Sequence, residues 1–405
     1  MQCYNNDYLI ILGCANDQIP AYQRATELGI KTIGVDYNPK SPAFEYCDIK
    51  LIASIKHENQ LIPALEELAK TVNFIGVMTL GVEISPMVSL VAEKFSLISV
   101  DSETALVTTN KCLRNIRLSK VIDVNIPNYQ IINDINSISL NYPFVIKPSD
   151  SSASRGVRRI DSDTDLELAF NEAKSYATDG KVLIEELIEG QQVSIEGFMI
   201  NGKMYVTGFA DRNYSTIPNT VDQPLFIEDG SNSPTSLPYE LYKEACDMFE
   251  RAALACGITN GPSKGDLIVN DKVYVIEITS RLSGGGFCSR IQPLQNGTDI
   301  VKATIQWHCG LNIDLDLLIP KYSKPVIHRF YFHKSGTIKS IKGLDKISKF
   351  RGIKYYIEQY PFKVGDVLEK LTYINRLFYI ITTGVNLSDA INNAESIIKS
   401  VVIET

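Results

Sequence analysis

The sequence predicts an α/β fold at the N-terminus, followed by α+β segments, arranged as two or three domains. Three observations carry this. Short apolar runs alternate with amphipathic stretches through the first hundred residues, as in a parallel sheet covered by helices. Strand-like runs and turns dominate from residue 144 to about 210 and return after residue 324. The 405 residues exceed what one core usually holds.

Taken in order, residues 9–12 form a buried strand that stops at Gly13, and 19–28 form a helix that stops at Gly29. Strands follow at 32–35 and 74–78, with helices over 61–70 and 86–95. Ligands in such sheets sit at the carboxyl ends of the strands. Asp36, Gly81 and Glu83 are therefore substrate-side positions, or ordinary surface loop residues. From Ser102 helices with polar faces lead to a strand over 144–147. Residues 211–238 are rich in Asn, Ser, Pro and Asp and are expected to be a long loop, a common form for a lid. A helix over 239–256, a hairpin over 266–278, a glycine loop at 283–286 and a helix over 300–308 come next. Short strands follow from about residue 324, and a helix over 388–400 ends the pattern.

Composition narrows the function classes. Hydrophobic residues make up 44% and charged residues 21%, as in soluble globular chains. A net charge of -7 argues against a general nucleic-acid binder. No apolar run approaches the ~20 residues that span a bilayer, so no membrane partner is expected. The opening Met1 to Asp7 lacks a basic n-region, and a cytoplasmic location follows as an expectation. The eight cysteines form no C-x-x-C pair, and the histidines show no zinc-ligand spacing. Gly13-Cys14-Ala15-Asn16-Asp17-Gln18 lacks the second and third glycines of a dinucleotide fingerprint. That disfavours a nicotinamide-dependent dehydrogenase despite an acid at Asp36.

Four constellations carry chemistry. Asn110-Lys111 and Ile146-Lys147-Pro148 place lysines at element boundaries. An ammonium there suits a phosphate, or snorkels at a sheet edge. Ser149 to Val157 is a run of small residues with Arg155 and Gly156. Its backbone amides can approach phosphate oxygens, or it is an ordinary hairpin. It is not a Walker A loop. Ile184-Glu185-Glu186-Leu187-Ile188-Glu189-Gly190 runs a buried strand into paired acids and a turn. Such a hinge can meet an adenine edge and a ribose, or be a solvated strand end. Last, Asp266-Leu267-Ile268-Val269 and Val273 to Ile278 flank Asn270-Asp271-Lys272 as a hairpin. A two-residue Asn270-Asp271 turn pairs Asp266 with Val275 and leaves Glu277 one diagonal step away on the same face. A longer turn sends Asp266 to the other face. Converging carboxylates repel unless protonated or bridged by a cation, and oxygen ligands suit Mg²⁺. Arg281 follows by period two, placed to stabilise a transferring phosphoryl group. The alternative is an exposed, salt-bridged hairpin.

This ordered set resembles the ATP-grasp superfamily, in the branch of carbamoyl-phosphate-synthase-like, biotin-carboxylase-like and amino-acid-ligase-like proteins. The resemblance divides the chain into a pre-ATP-grasp α/β domain over 1–100, an ATP-grasp domain over 101–322 and a small β-rich C-terminal domain over 323–405. It implies that Lys111 and Lys147 contact ATP phosphates and adenine, with Lys147 also catalytic. Ser152, Ser154 and Gly156 would form the loop over the phosphates. Glu185, Glu186 and Ile188 would frame the adenine, and Gln192 would meet the ribose, where the family often has Glu. Asp266 and Glu277 would bind Mg²⁺ or Mn²⁺, joined by Thr279, where the family often has Asn. Arg281 would face an acyl-phosphate. The implied activity is an ADP-forming ligase joining a small-molecule carboxylate, such as an amino acid or sugar acid, to an amine. A homodimer is a further implication by analogy. A regulatory ATP-binding scaffold without turnover and a bicarbonate-using carboxylase are the alternatives.

Overall fold

The computed structural model describes residues 6–152, 154–161, 166–214, 227–372 and 375–405. Four parallel strands open the chain, in the order Ile49–Ile52, Lys31–Asp36, Asp7–Leu12 and Asn73–Met78. Successive side chains of a strand face opposite sides. Leu9 and Ile11 pack on Tyr22 and Ile305, whereas Ile10 and Leu12 pack on Leu61, Leu65 and Val88. Burial on both faces is why this strand reads as an unbroken apolar run. The helix expected over 61–70 is Glu58–Leu68. It begins three residues earlier than expected and buries Leu61 and Leu65.

The second unit is a four-stranded antiparallel sheet, in the order Tyr129–Ile132, Val182–Glu186, Phe144–Pro148 and Arg158–Ile160. The helix Leu166–Tyr176 covers it through Ala169, Phe170 and Ala173. The third is an eight-stranded antiparallel sheet whose first five strands are Val273–Thr279, Gly261–Val269, Gln191–Ile200, Lys203–Asn213 and Gly230–Ser233. Val326–Phe330, Phe378–Thr383 and Ile353–Glu358 extend it, joined through the pairing of Gly230–Ser233 with Val326–Phe330. The helix Tyr239–Ala255 buries Ala245, Met248, Phe249 and Ala252 on this sheet. The helix Leu387–Ser400 does the same at the C-terminal end with Ala390, Ala394 and Ile397.

Two expectations need correction. Strand residues occupy both ends of the segment expected to be a loop over 211–238, because Asp211, Arg212 and Asn213 pair with Asn232, Ser231 and Gly230. Residues 215–226 of that segment lie outside the described residues. The 266–278 hairpin turns through Asn270, Asp271 and Lys272, since Val269 pairs with Val273. This three-residue connection alone would have separated the two acids. A bulge between Asp266 and Leu267 shifts the register by one further residue, so Asp266 lies directly opposite Glu277. The convergence holds, by a different route from the one expected.

No described helix is long and apolar enough to cross a membrane. Among the described residues, all seven cysteines are free thiols.

Candidate active site

A cavity of about 570 Å³ opens between the two antiparallel sheets. Lys111, Lys147, Ser152, Ser154, Glu185, Glu186, Ile188, Gln192, Asp266, Glu277 and Arg281 line it. Most of the predicted set is thus brought to one wall system from elements up to 170 residues apart in sequence.

Local structure explains each position. Asn110 caps the helix Lys111–Leu118, its side-chain oxygen accepting from Leu113 N at 3.1 Å. Lys111 is therefore the first helical residue, and its Nζ donates to the Ser151 carbonyl oxygen. Lys147 lies in a fully buried strand, where Val145 pairs with Glu185. Lys147 and Glu185 are diagonal neighbours on one face, and their side chains form an ion pair. Asn115 Nδ2 adds a bond to Glu185 Oε1 at 2.8 Å. Burial alone would raise the Glu185 pKa, but Lys147 and Arg114 hold it below the usual range. Glu185 thus lines the cavity with its carboxylate engaged by Lys147 and Asn115. Removing one partner of a buried pair costs ~3–5 kcal/mol. Lys147→Ala is expected to lose about that much stability in chemical denaturation. A midpoint unchanged from wild type would show that the pair does not anchor the sheet.

Glu186 accepts from Asn128 Nδ2 at 2.6 Å, and Gln192 Oε1 accepts from Tyr214 at 2.8 Å. Gly156 packs behind the wall against Tyr176 and Ala173 of the covering helix. Thr279 is buried beside Lys264, its hydroxyl 3.5 Å from the Lys264 carbonyl oxygen.

The two opposed acids are held together by cations. Lys264 Nζ lies 3.2 Å from Glu277 Oε2 and 2.5 Å from Asp266 Oδ2. Arg212 Nη1 is 3.0 Å from Asp266 Oδ2, and Ser194 donates to Asp266 Oδ1 at 2.8 Å. Burial works against ionised Glu277, yet Lys264, Lys111 and Arg114 hold its pKa well below the usual range. Burial likewise opposes charged Lys264, while Asp266 and Glu277 push its pKa upward. Arg212 also pairs with Glu228, whose pKa is lowered by Arg212 and Arg376 against its burial.

The donor set fits a divalent cation. Two carboxylates face each other across one ladder step, with the Lys264 ammonium reaching both. Among the described residues no group of three or more His, Cys, Asp or Glu could hold a metal by itself. Magnesium is usually bound by one or two carboxylates with substrate phosphates completing the shell, which is the arrangement two acids in a cavity allow.

Arg281 pairs with Glu83 from the loop after the strand Asn73–Met78, and its Nη1 donates to the Leu282 carbonyl oxygen at 2.9 Å. The carboxyl end of the parallel sheet therefore closes the cavity. Gly81 N donates to the Leu282 carbonyl oxygen at 3.2 Å, and Gly285 N to Asp17 Oδ2 at 3.1 Å. Gly81 and Gly284 touch so closely that a Cβ on Gly81 would lie 2.7 Å from Gly284 Cα.

Lys264, Arg212, Glu228 and Arg376 were missed by sequence reasoning. Lys264 carried a signal, because it precedes Asp266 by two and so shares its face. The others lie in or beyond a segment read as loop, where no periodicity marks a direction.

Two antiparallel sheets gripping a lysine- and carboxylate-lined cleft, closed by a parallel α/β unit, define the ATP-grasp architecture. Residues 140–290 match the family model of the ATP-grasp domain. The match places an ATP-grasp domain over that stretch of the chain. It is 26% identical over 341 residues to the formate-dependent phosphoribosylglycinamide formyltransferase of Prochlorococcus marinus, covering 82% of each chain. It is 28% identical over 147 residues to a D-alanine--D-alanine ligase of Pediococcus pentosaceus, 35% of this chain and 39% of that one. The L-amino acid ligase of Bacillus licheniformis superposes over 99% of both chains, with a TM-score of 0.84 at 21% identity. A biotin carboxylase from Campylobacter jejuni covers 98% of this chain and 92% of its own, with a TM-score of 0.72 at 16% identity.

Proposed function

We propose that this chain is an ADP-forming ligase that activates a small carboxylate with ATP and joins it to an amine. The observation that carries it is the Arg281–Glu83 pair, which lines the same cavity as the Asp266–Glu277 acids. A zwitterionic amino acid can exchange with that pair, its carboxylate meeting Arg281 and its ammonium meeting Glu83. An amino acid is therefore the favoured carboxylate substrate. The ligase names of the similar proteins support the reaction class.

Lys111 and Lys147, with the backbone of Ser152 and Ser154, would bind the ATP phosphates. Glu186, Ile188 and Gln192 would frame the nucleoside. Asp266 and Glu277 would hold Mg²⁺, which neutralises phosphate charge when bound. Thr279 and Gly156 would act from behind the wall, on the ladder and the loop. A carboxylate oxygen oriented by Arg281 attacks the γ-phosphorus, and the bond to the β-phosphate oxygen breaks to release ADP. The amine nitrogen then attacks the acyl carbon. The carbon–oxygen bond to phosphate breaks, and the nitrogen loses a proton. Most of the catalysis lies in positioning and charge placement.

The direct test is ADP release with Mg-ATP and pools of amino acids, supplied singly and in pairs. Release that needs a carboxylate and rises with an added amine supports the ligase. Release indifferent to every pool would overturn it.

A proton-linked effect is also expected. Burial lowers the Lys111 pKa to about 8, with Glu277 opposing and Arg114 and Lys147 reinforcing the shift. Phosphate beside Lys111 favours the ammonium and raises that pKa. Binding of a non-hydrolysable ATP analogue at pH 8–9 should therefore take up a proton, and affinity should fall as pH rises through about 8. Calorimetry in buffers of different ionisation enthalpy reads this uptake. Heats independent of the buffer would remove Lys111 from the phosphate contacts.

A further inference from the structure

One buried acid near the cavity takes no part in these roles. Glu196 lies in the strand Gln191–Ile200 and is completely buried. It pairs with Lys264 on one side and Gly208 on the other. Both of its oxygens are engaged. Oε1 accepts from Ser283 N at 2.7 Å, and Oε2 accepts from Ser283 Oγ at 2.7 Å and from Gln292 Nε2. The absence of a side chain at Gly208 admits that amide, because a Cβ there would lie 2.4 Å from Gln292 Nε2. A buried charge is costly unless its lone pairs are filled, and here most of that capacity goes to one residue.

That residue begins the glycine turn two positions after Arg281. The N-terminal unit holds the same turn from the opposite side, through Gly81, the Leu80–Leu282 bridge and Asp17. Leu282 to Gly285 is thus gripped between a carboxylate below and the parallel-sheet loops above. We propose that Glu196 is a positioning residue for the ligation, fixing Ser283 and through it Arg281 against the Gly81–Glu83 loop. The proposal rests on the ligase reading for its catalytic consequence, but its structural part does not.

The charged form matters because hydrogen bonds to an ionised acceptor are roughly twice as strong as neutral ones. Burial pushes the Glu196 pKa up to about 7, against Ser283, Gln292 and Lys264, which pull it down. The titratable groups facing it are Lys264 from the neighbouring strand and Cys288 from the turn Phe287–Ile291. Protonation as pH falls through about 7 removes acceptor sites that Ser283 and Gln292 use, so the turn loosens toward acid. Glu196→Gln keeps the shape and mimics the protonated state at every pH.

The test uses the full chain. Amide hydrogen exchange over 281–287, corrected for intrinsic rate, is measured at pH 6 and 8 for wild type, Glu196→Gln and Ser283→Ala. ADP release with Mg-ATP and the pooled L-amino acids is followed alongside. Wild type should lose about tenfold in turn protection between pH 8 and 6. Glu196→Gln should show that lower protection at both. Its kcat should fall about tenfold at pH 8 with KM for ATP unchanged, since misplacement of about 1 Å costs up to ~10²-fold. A variant carrying both Glu196→Gln and Ser283→Ala should be no worse than Glu196→Gln. Wild-type protection and kcat in Glu196→Gln at pH 8 would overturn the proposal. Loosened turn exchange in a chain that releases no ADP from any pool would instead count against the ligase reading.

Discussion

Glu277→Gln is expected to lower Mg-dependent ADP release by ~10³-fold while leaving the fold intact. The carboxylate lies opposite Asp266 on the ladder and is kept ionised by Lys264, Lys111 and Arg114. The substitution preserves volume and removes one of the two charges that would hold the metal. Losing a single well-placed charge-stabilising contact costs ~10²–10³-fold in comparable sites, and a metal ligand belongs at the upper end. Two measurements separate this from simple unfolding. The thermal midpoint should stay near wild type, because Lys264 retains Asp266 as a partner. Mn²⁺ binding, followed by electron paramagnetic resonance with a nucleotide present, should weaken in parallel with turnover. A variant that turns over within tenfold of wild type would remove Glu277 from the metal site.

Arg281→Ala should cost a comparable ~10³-fold, in the carboxylate half of the reaction. An arginine facing a transferring phosphoryl group is worth ~10³–10⁵-fold. The guanidinium is buried beside Glu83 and lines the same cavity as the acids of the hairpin. Its loss should raise KM for the carboxylate and lower kcat, while the ATP KM stays within about twofold. Arg281→Lys should recover only part, since an ammonium lacks the planar fork that matches a carboxylate. An altered ATP affinity with an unchanged carboxylate KM would assign Arg281 to the nucleotide instead.

The legible features were those written in local pattern. The unbroken run Leu9 to Leu12 reveals a two-faced parallel strand because both faces are buried. Asn110-Lys111 reveals a capped helix start carrying a cation. Asp266 and Glu277 revealed the acidic pair, although Asn270 to Lys272 make a longer connection than expected. The bulge at Asp266 returned the two acids to one face, and no residue type in the hairpin announces it. Lys264 was readable by period two and went unread. Contacts between distant elements left no local trace: Glu83 meets Arg281 across nearly 200 residues, and Glu185 is engaged by Lys147 because two strands align. Arg212 and Glu228 flank a polar segment whose composition suggests only a loop, and their direction follows from sheet pairing alone.

The central claim is that ATP transfers its γ-phosphoryl group to a substrate carboxylate. The most direct test is oxygen transfer. The enzyme is incubated with Mg-ATP, an amine and an amino acid whose carboxylate carries ¹⁸O, and the released phosphate is analysed by mass spectrometry. The account predicts one ¹⁸O in each phosphate, delivered when the acyl carbon–oxygen bond breaks. Unlabelled phosphate released in step with ADP would mean that the γ-phosphoryl group goes to water or another acceptor, and would contradict the account.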